Sequence, residues 1–199
     1  MQPPFISQPA QLIALVVTLL IWRVVESILD LRTARRLRSG AQRHDRGSRL
    51  AVFCAVLLGL LLGIFVVYQA PAATLGTGRA VAFWLGILFM YGGIALRLFA
   101  VITLGAYFTT AVATVREQQV VMRGPYRYIR HPSYTGFLLI LVGFGLCFGN
   151  WLSPVVMVGV ALIGFSYRIR VEERILQEQL GQPYRIYMRH TKRLIPYVV

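Results

Sequence analysis

Leu50 to Tyr68 is an unbroken apolar run without a single charged residue, and Ala80 to Leu104 is a longer one interrupted only by Arg97. Runs near 20 residues match a hydrocarbon core of roughly 30 Å, so they constrain this chain more than any other feature. One such run fits the buried helix of a soluble domain; four or five in a single short chain do not. The composition agrees. Of 199 residues, 57% are hydrophobic and only 14% charged, against about 25% charged in an ordinary soluble domain.

Five helical segments follow from the pattern, at about Ala10–Ile28, Leu50–Tyr68, Ala80–Leu104, Pro132–Phe148 and Trp151–Tyr167. The last two are short. A helix of about 16 residues rises roughly 24 Å, less than the core thickness. Joined by Gly149-Asn150, they read as a helical hairpin held inside the bundle. The expected fold class is therefore all-α, a polytopic integral membrane helical bundle with cytoplasmic C-terminal helices. The chain is read as one domain, 1–199, with three N-terminal spans in 1–104 and the chemistry in 105–199.

Charge sets the orientation. Lys and Arg number 21 against 7 Asp and Glu, a net charge of +14. Such a balance raises the question of nucleic acid, but the basic residues lie beside apolar spans and leave no fold outside the membrane to carry it. The loop Asp30–Arg49 holds Arg32, Arg35, Arg36, Arg38, Arg43, Arg46 and Arg49, whereas Gln69–Arg79 holds one arginine. Basic loops stay in the cytoplasm. This predicts an N-terminus outside, a C-terminus inside and residence in the cell inner membrane. The N-terminus lacks a basic region before its apolar run, which favours a retained first span over a cleaved signal peptide. Cys54 and Cys147 fall within apolar spans and read as packing residues, with no metal expected. Gly59-Leu-Leu-Leu-Gly63 and Gly145-Leu-Cys-Phe-Gly149 are small-xxx-small patterns that let helices approach closely.

The chemistry-bearing residues are cytoplasmic or juxtamembrane. In Arg123-Gly-Pro-Tyr-Arg-Tyr-Ile-Arg-His-Pro-Ser-Tyr-Thr-Gly136, Gly124-Pro125 marks a turn and Pro132 suits the first position of a helix. His131 then stands at a helix N-terminus, where backbone N–H groups favour an anion. Tyr126, Tyr128 and Tyr134 suit base stacking or a membrane-interface belt, and the residues alone leave both open. Farther along, Tyr167-Arg-Ile-Arg-Val-Glu-Glu-Arg174 puts Arg168 and Glu172 one helical turn apart. Glu172 and Glu173 suit an ammonium or sulfonium ligand, or simple pairing with neighbouring arginines.

The phrase GPYRYIRHPSYTG, the Glu-Glu pair, Leu180-Gly-Gln-Pro-Tyr-Arg-Ile-Tyr187 and Leu194-Ile-Pro196 resemble, in order and spacing, the isoprenylcysteine carboxyl methyltransferase family and the related phospholipid methyltransferases. The resemblance covers roughly Leu96 to Pro196. It implies a membrane methyltransferase that uses S-adenosyl-L-methionine and acts on a lipid-like or prenylated substrate. It assigns His131, Pro132, Ser133, Tyr134, Tyr126 and Glu172 to the cofactor, and Arg168 to the substrate. The family's His-Thr-Leu-Val stretch, also on the cofactor, falls on Gln118, Gln119, Val120 and Val121. Gln118 there replaces a histidine with an uncharged amide. A carboxylate acceptor is already ionised near neutrality and needs no base, whereas an amine acceptor needs one, for which Glu173 or His131 are the candidates. Carboxylate methylation, amine methylation and a non-enzymatic scaffold or transporter are the readings in play, Arg97 being a charge on a transport path or near the cofactor site.

Overall fold

The computed structural model describes residues 3–38, 42–43, 45, 47–110, 113–114 and 118–196, with 36–38, 42–43 and 113–114 described by backbone alone. Arg46, one of the arginines that set the orientation, lies outside the described residues. A short turn α1 (Pro4–Ser7) leads into α2 (Pro9–Arg38), α3 (Ser48–Gln69), α4 (Arg79–Leu104), α5 (Pro132–Leu146), α6 (Leu152–Leu180) and α7 (Gln182–His190). The expected all-α membrane bundle is the observed fold. The one sheet among the described residues is a two-residue antiparallel pair, β1 (Gln42–Arg43) with β2 (Ala113–Thr114). By length and composition α2, α3, α4 and α6 each suffice to cross a membrane, and α5 is a shorter apolar helix.

Two predicted lengths are corrected. The first helix runs on to Arg38, and the fifth segment does not stop at Tyr167. Arg168 to Leu180 carries no breaker and is rich in Arg, Glu, Gln and Leu, all good helix formers, so α6 continues for 29 residues until Gly181 ends it at φ 59°. A helix of that length rises about 43 Å. It crosses the apolar layer and projects beyond it, carrying Arg168, Glu172 and Glu173 with it. Of the predicted hairpin only α5 is short.

Glycine sets the tightest helix packing. A Cβ on Gly93 of α4 would meet the Gly136 carbonyl of α5 at 2.5 Å, and one on Gly136 would meet the Gly93 carbonyl at 2.6 Å. Gly86 and Gly143 repeat this reciprocal contact, at 2.5 and 2.3 Å. The two pairs are seven residues apart on both helices, so two turns of each helix lie backbone against backbone. The small-xxx-small reading of Gly59 and Gly63 holds as well: both face Met157 of α6. At the opposite end from the basic loops, Asn150 accepts the backbone N–H groups of Leu152 and Ser153 and donates to the Ala70 carbonyl, joining the start of α6 to the end of α3.

Helix α2 is attached differently. Among its described side chains only Gln11, Leu15, Thr18, Leu29 and Thr33 are buried. It meets the bundle mainly through α4.

Candidate functional site

The basic end of the bundle contains a cavity of about 170 Å³. One wall belongs to the membrane half, with Val52 of α3, Phe137 of α5 and Phe165 of α6. The other is made by Gln118, Gln119, Val120 and Val121, outside regular secondary structure, with Leu176 and Leu180 of α6 and Tyr184 and Tyr187 of α7. The polar groups lie between them. Ten of the twelve predicted site residues line this cavity: Gln118, Gln119, Val120, Val121, Tyr126, His131, Ser133, Tyr134, Arg168 and Glu172.

Pro132 is at the first position of α5, as its fixed φ and missing N–H suit, and it lies behind the lining. Glu173 is the other exception. Its side chain is 3% exposed against 29% for Glu172, because successive residues of a helix point about 100° apart. Arg130 Nε donates to Glu173 Oε1 at 2.8 Å, Arg193 Nη2 to Oε2 at 2.8 Å, and His131 Nε2 stands 3.4 Å from Oε1. Both oxygens are occupied and neither faces the cavity. The expectation of a general base at Glu173 is therefore corrected: this carboxylate is an anchor for the cavity wall. Donating to Glu173 in turn raises the pKa of the Arg193 guanidinium above its usual value.

His131 is also more enclosed than its place at a helix N-terminus suggested. Its Nδ1 is 3.8 Å from Glu172 and its ring stacks on Tyr134, centroids 5.4 Å apart. The ring lies between the carboxylates of Glu172 and Glu173, whose negative charge disfavours an anion beside it. Its backbone N–H donates to the Arg193 carbonyl, the Arg130 N–H to the Lys192 carbonyl, and Thr135 Oγ1 to the Leu194 carbonyl. Residues 191–194 thus form the outer support of the RHPSY segment. Arg130 adds hydrogen bonds to the Met188 and Thr191 carbonyls.

Arg168 Nε donates to Tyr134 Oη at 2.7 Å, and Tyr134 Oη donates to Glu172 Oε2 at 2.5 Å. The two residues predicted one turn apart are therefore linked through a phenol. The remaining Arg168 donors reach Asp45 Oδ1, Ser48 Oγ and the Thr110 carbonyl. Burial of an arginine is tolerated when each donor has an acceptor.

Sequence reasoning missed Arg130, Tyr184 and Tyr187 as lining residues. All three stand inside the quoted motifs, so the available signal was the motif itself. Tyr107, Phe108, Thr109 and Thr110 also line the cavity and had no sequence signal. Arg97, left between two readings, faces the cavity and binds Ser133 Oγ at 2.7 Å and Glu26 through two nitrogens. Burial pushes the phenols of Tyr126, Tyr184 and Tyr187 above the ordinary range, and each stays neutral.

Residues 84–178, which contain α5 and all of α6 but its last turn, match the model of the isoprenylcysteine carboxyl methyltransferase family. Over this segment, a little under half of its length, the chain is similar to that family. A probable protein-S-isoprenylcysteine O-methyltransferase of Oryza sativa subsp. indica is 33% identical over 117 residues, 58% of this chain and 61% of the relative. The protein-S-isoprenylcysteine O-methyltransferase of Schizosaccharomyces pombe is 34% identical over 137 residues, 68% of this chain and 52% of the relative. Among solved structures, a eukaryotic intramembrane Ras methyltransferase of the same family superposes with a TM-score of 0.60 at 26% identity. That match covers 73% of this chain and 52% of the other. The chain thus spans between about half and three fifths of these family members' length.

Proposed function

We propose that this protein is an integral membrane methyltransferase that transfers the methyl group of S-adenosyl-L-methionine to the carboxylate of a prenylated or otherwise lipid-tailed acceptor. The observation that carries the reading is one cavity with two kinds of wall. Aromatic and aliphatic side chains of α3, α5 and α6 offer a tail a surface in the membrane half, and a polar rim with an accessible carboxylate closes the other side. The match of residues 84–178 to the family model and the names of the relatives support the same reaction.

The residues present fit the cofactor. Glu172 faces the cavity with one oxygen engaged by Tyr134, which suits the cofactor's ammonium group. Val120, Val121, Leu176 and Leu180 line the cavity beside the neutral Tyr184 and Tyr187, apolar and aromatic surface that suits its adenine ring. The bound cofactor supplies a methyl group activated on a sulfonium. The protein's part is positioning: Arg168 fixes Tyr134, Tyr134 fixes Glu172, and Glu173 with Arg130 and Arg193 fixes the loop that carries His131. Held alignment is most of what an in-line displacement requires. Arg168 acts in this scheme as a positioning residue for Tyr134 and Thr110.

Carboxylate methylation is favoured over amine methylation by Glu173. An amine acceptor must first lose a proton; of the two groups named for that task, Glu173 is turned away and bound by two arginines, and both ring nitrogens of His131 already face carboxylates. The site lies on the cytoplasmic side of the cell inner membrane with the N-terminus outside, a reading supported by the arginines between Asp30 and Arg49.

Purified protein in nanodiscs, given radiolabelled S-adenosyl-L-methionine and N-acetyl-S-farnesylcysteine, should yield a base-labile methyl ester. S-adenosylhomocysteine should bind with measurable heat and raise the melting temperature, as any ligand of the folded state must. No heat, no thermal shift and no ester would end the methyltransferase reading. Label appearing on an amine lipid in place of the ester would transfer the assignment to N-methylation.

A further inference from the structure

Four arginines line the cavity, and they divide into two pairs by what holds them. Arg130 and Arg168 are bound by the cavity's own framework: Glu173, Tyr134, Asp45, Ser48 and backbone carbonyls. Arg97 and Arg49 are bound by carboxylates of α2. Glu26 takes two nitrogens of Arg97 in a pair that is 8% and 16% exposed, and Asp30 takes Arg49 at 3.0 Å. The two α2 carboxylates lie one helical turn apart and reach to opposite sides, Glu26 to α4 and Asp30 to α3. Between α3 and α4 there is little direct packing, since α3 packs on α6 and α4 packs on α5.

Helix α2 therefore closes this seam with two ion pairs, around a single fully buried apolar side chain, Leu29. Trp22 of α2 packs its ring edge-on against cavity-lining Phe137, centroids 5.6 Å apart. The Trp22 Nε1 is buried and has no hydrogen-bond partner, an unmet donor beside the place where a polar head group would pass.

We propose that α2 is the membrane-side gate of the cavity, with Glu26 and Asp30 standing in for the carboxylate of an anionic, lipid-tailed acceptor. The inference rests on the proposed site and adds how its acceptor gets in and what it displaces. An ionised head group entering between α2 and α4 exchanges for Glu26 on Arg97, charge for charge, so Arg97 is never left buried without a counter-ion. A neutral or cationic amphiphile cannot make that exchange and leaves the gate shut. The acceptor class is thereby limited to anions with an apolar tail.

The gate is wired to the cofactor rim through Thr110. Its N–H donates to Thr33 Oγ1 and its hydroxyl to Asp30 Oδ1, both on α2, while its carbonyl accepts Arg168 Nη2. Movement of α2 reaches Arg168, then Tyr134, then Glu172, through successive hydrogen bonds.

The test uses the whole chain in nanodiscs. Nitroxide labels at exposed Leu31 on α2 and exposed Ile163 on α6 report the gate directly. N-acetyl-S-farnesylcysteine should lengthen their separation, and its methyl ester, which lacks the charge, should not. Kinetics supply the second reading. Glu26→Gln should lower KM for the farnesylated acid by about threefold to tenfold with the affinity for S-adenosylhomocysteine nearly unchanged. The exchanged pair, Glu26→Arg with Arg97→Glu, should recover the melting temperature lost in Arg97→Glu alone while KM stays at least about tenfold raised. An exchanged pair that restores KM together with stability makes this an architectural strut, and no label displacement by the acid overturns the gate. Failure of the wild-type protein to bind S-adenosylhomocysteine would instead remove the methyltransferase reading, and the label distances would still decide the gate.

Discussion

The α4–α5 interface and the rim of the cavity are a few turns apart and are built on opposite principles. Between α4 and α5 no polar side chain is needed at Gly86, Gly93, Gly136 and Gly143, where backbone lies on backbone. At the rim almost every contact is a charged hydrogen bond: Arg130, His131 and Arg193 on Glu173, and Arg168 through Tyr134 on Glu172. In lipid there is no hydrophobic drive between helices, so shape must do the holding. At the aqueous edge shape alone would leave arginines unpaired, and the carboxylates decide the structure. Within the rim the division recurs on a smaller scale, because Glu173 is enclosed and Glu172 is accessible. The lesson is that position relative to water and to the cavity, more than residue type, separates scaffold from chemistry.

Four substitutions test that division. Glu173→Ala strands Arg130, Arg193 and His131 together and should cost about 3–5 kcal/mol of stability, the range for breaking a buried ion pair. Denaturation in detergent, followed by helical circular dichroism, measures it. Retained stability with lost turnover would make Glu173 a chemical group after all and collapse the contrast with Glu172. Gly86→Ala drives a methyl group into the Gly143 carbonyl and should cost about 1–3 kcal/mol as an overpacked contact. Because Gly86 and Gly143 lie about three helical turns from cavity-lining Arg97 and Ser133, cofactor affinity per folded molecule should hold. A ligand-binding defect larger than the stability defect would show that the two regions are coupled.

Glu172→Gln should weaken cofactor binding by roughly 1.5–3 kcal/mol, the scale of a charged hydrogen bond. Its effect on stability should be small, since the lost partner is accessible. Calorimetric titration with S-adenosylhomocysteine reads the first and thermal melting the second. Equal and negligible changes would reduce Glu172 to an ordinary surface carboxylate. The smallest effect belongs to Asp30→Asn. The Asp30–Arg49 pair is exposed on both sides, worth less than about 1 kcal/mol and screened by salt. It should leave the melting temperature almost unmoved.

The spans and their order were legible in the sequence because each is a local property. Charge-free runs specify helices, and Pro132 specifies where α5 begins. The motif residues 118–121, 126, 131–134, 168 and 172 converge because α5 and the end of α6 share one face of the bundle, a relation that the family pattern carries and periodicity does not. What escaped was non-local. Nothing in the residues next to Glu173 indicates that Arg130 and Arg193 arrive from both sides to bury it. The length of α6 escaped for a different reason. Hydropathy falls at Arg168 although helical backbone continues, and an apolar-run reading ends the helix where the grease ends. Thr110, a residue with no motif around it, was invisible as the link between α2 and Arg168.

The support given to the RHPSY segment by residues 191–194 has a consequence for biosynthesis. Those residues are made after every helix of the bundle, and until they arrive the backbone N–H groups of Arg130 and His131 lack their acceptors and Arg130 lacks the Thr191 carbonyl. Segments reach their places in the order of synthesis. The membrane helices can therefore be inserted and packed while the cavity is still missing its outer brace. A nascent chain at that stage has α2 to α6 available for packing and a cavity wall that still lacks the carbonyls of residues 191–194.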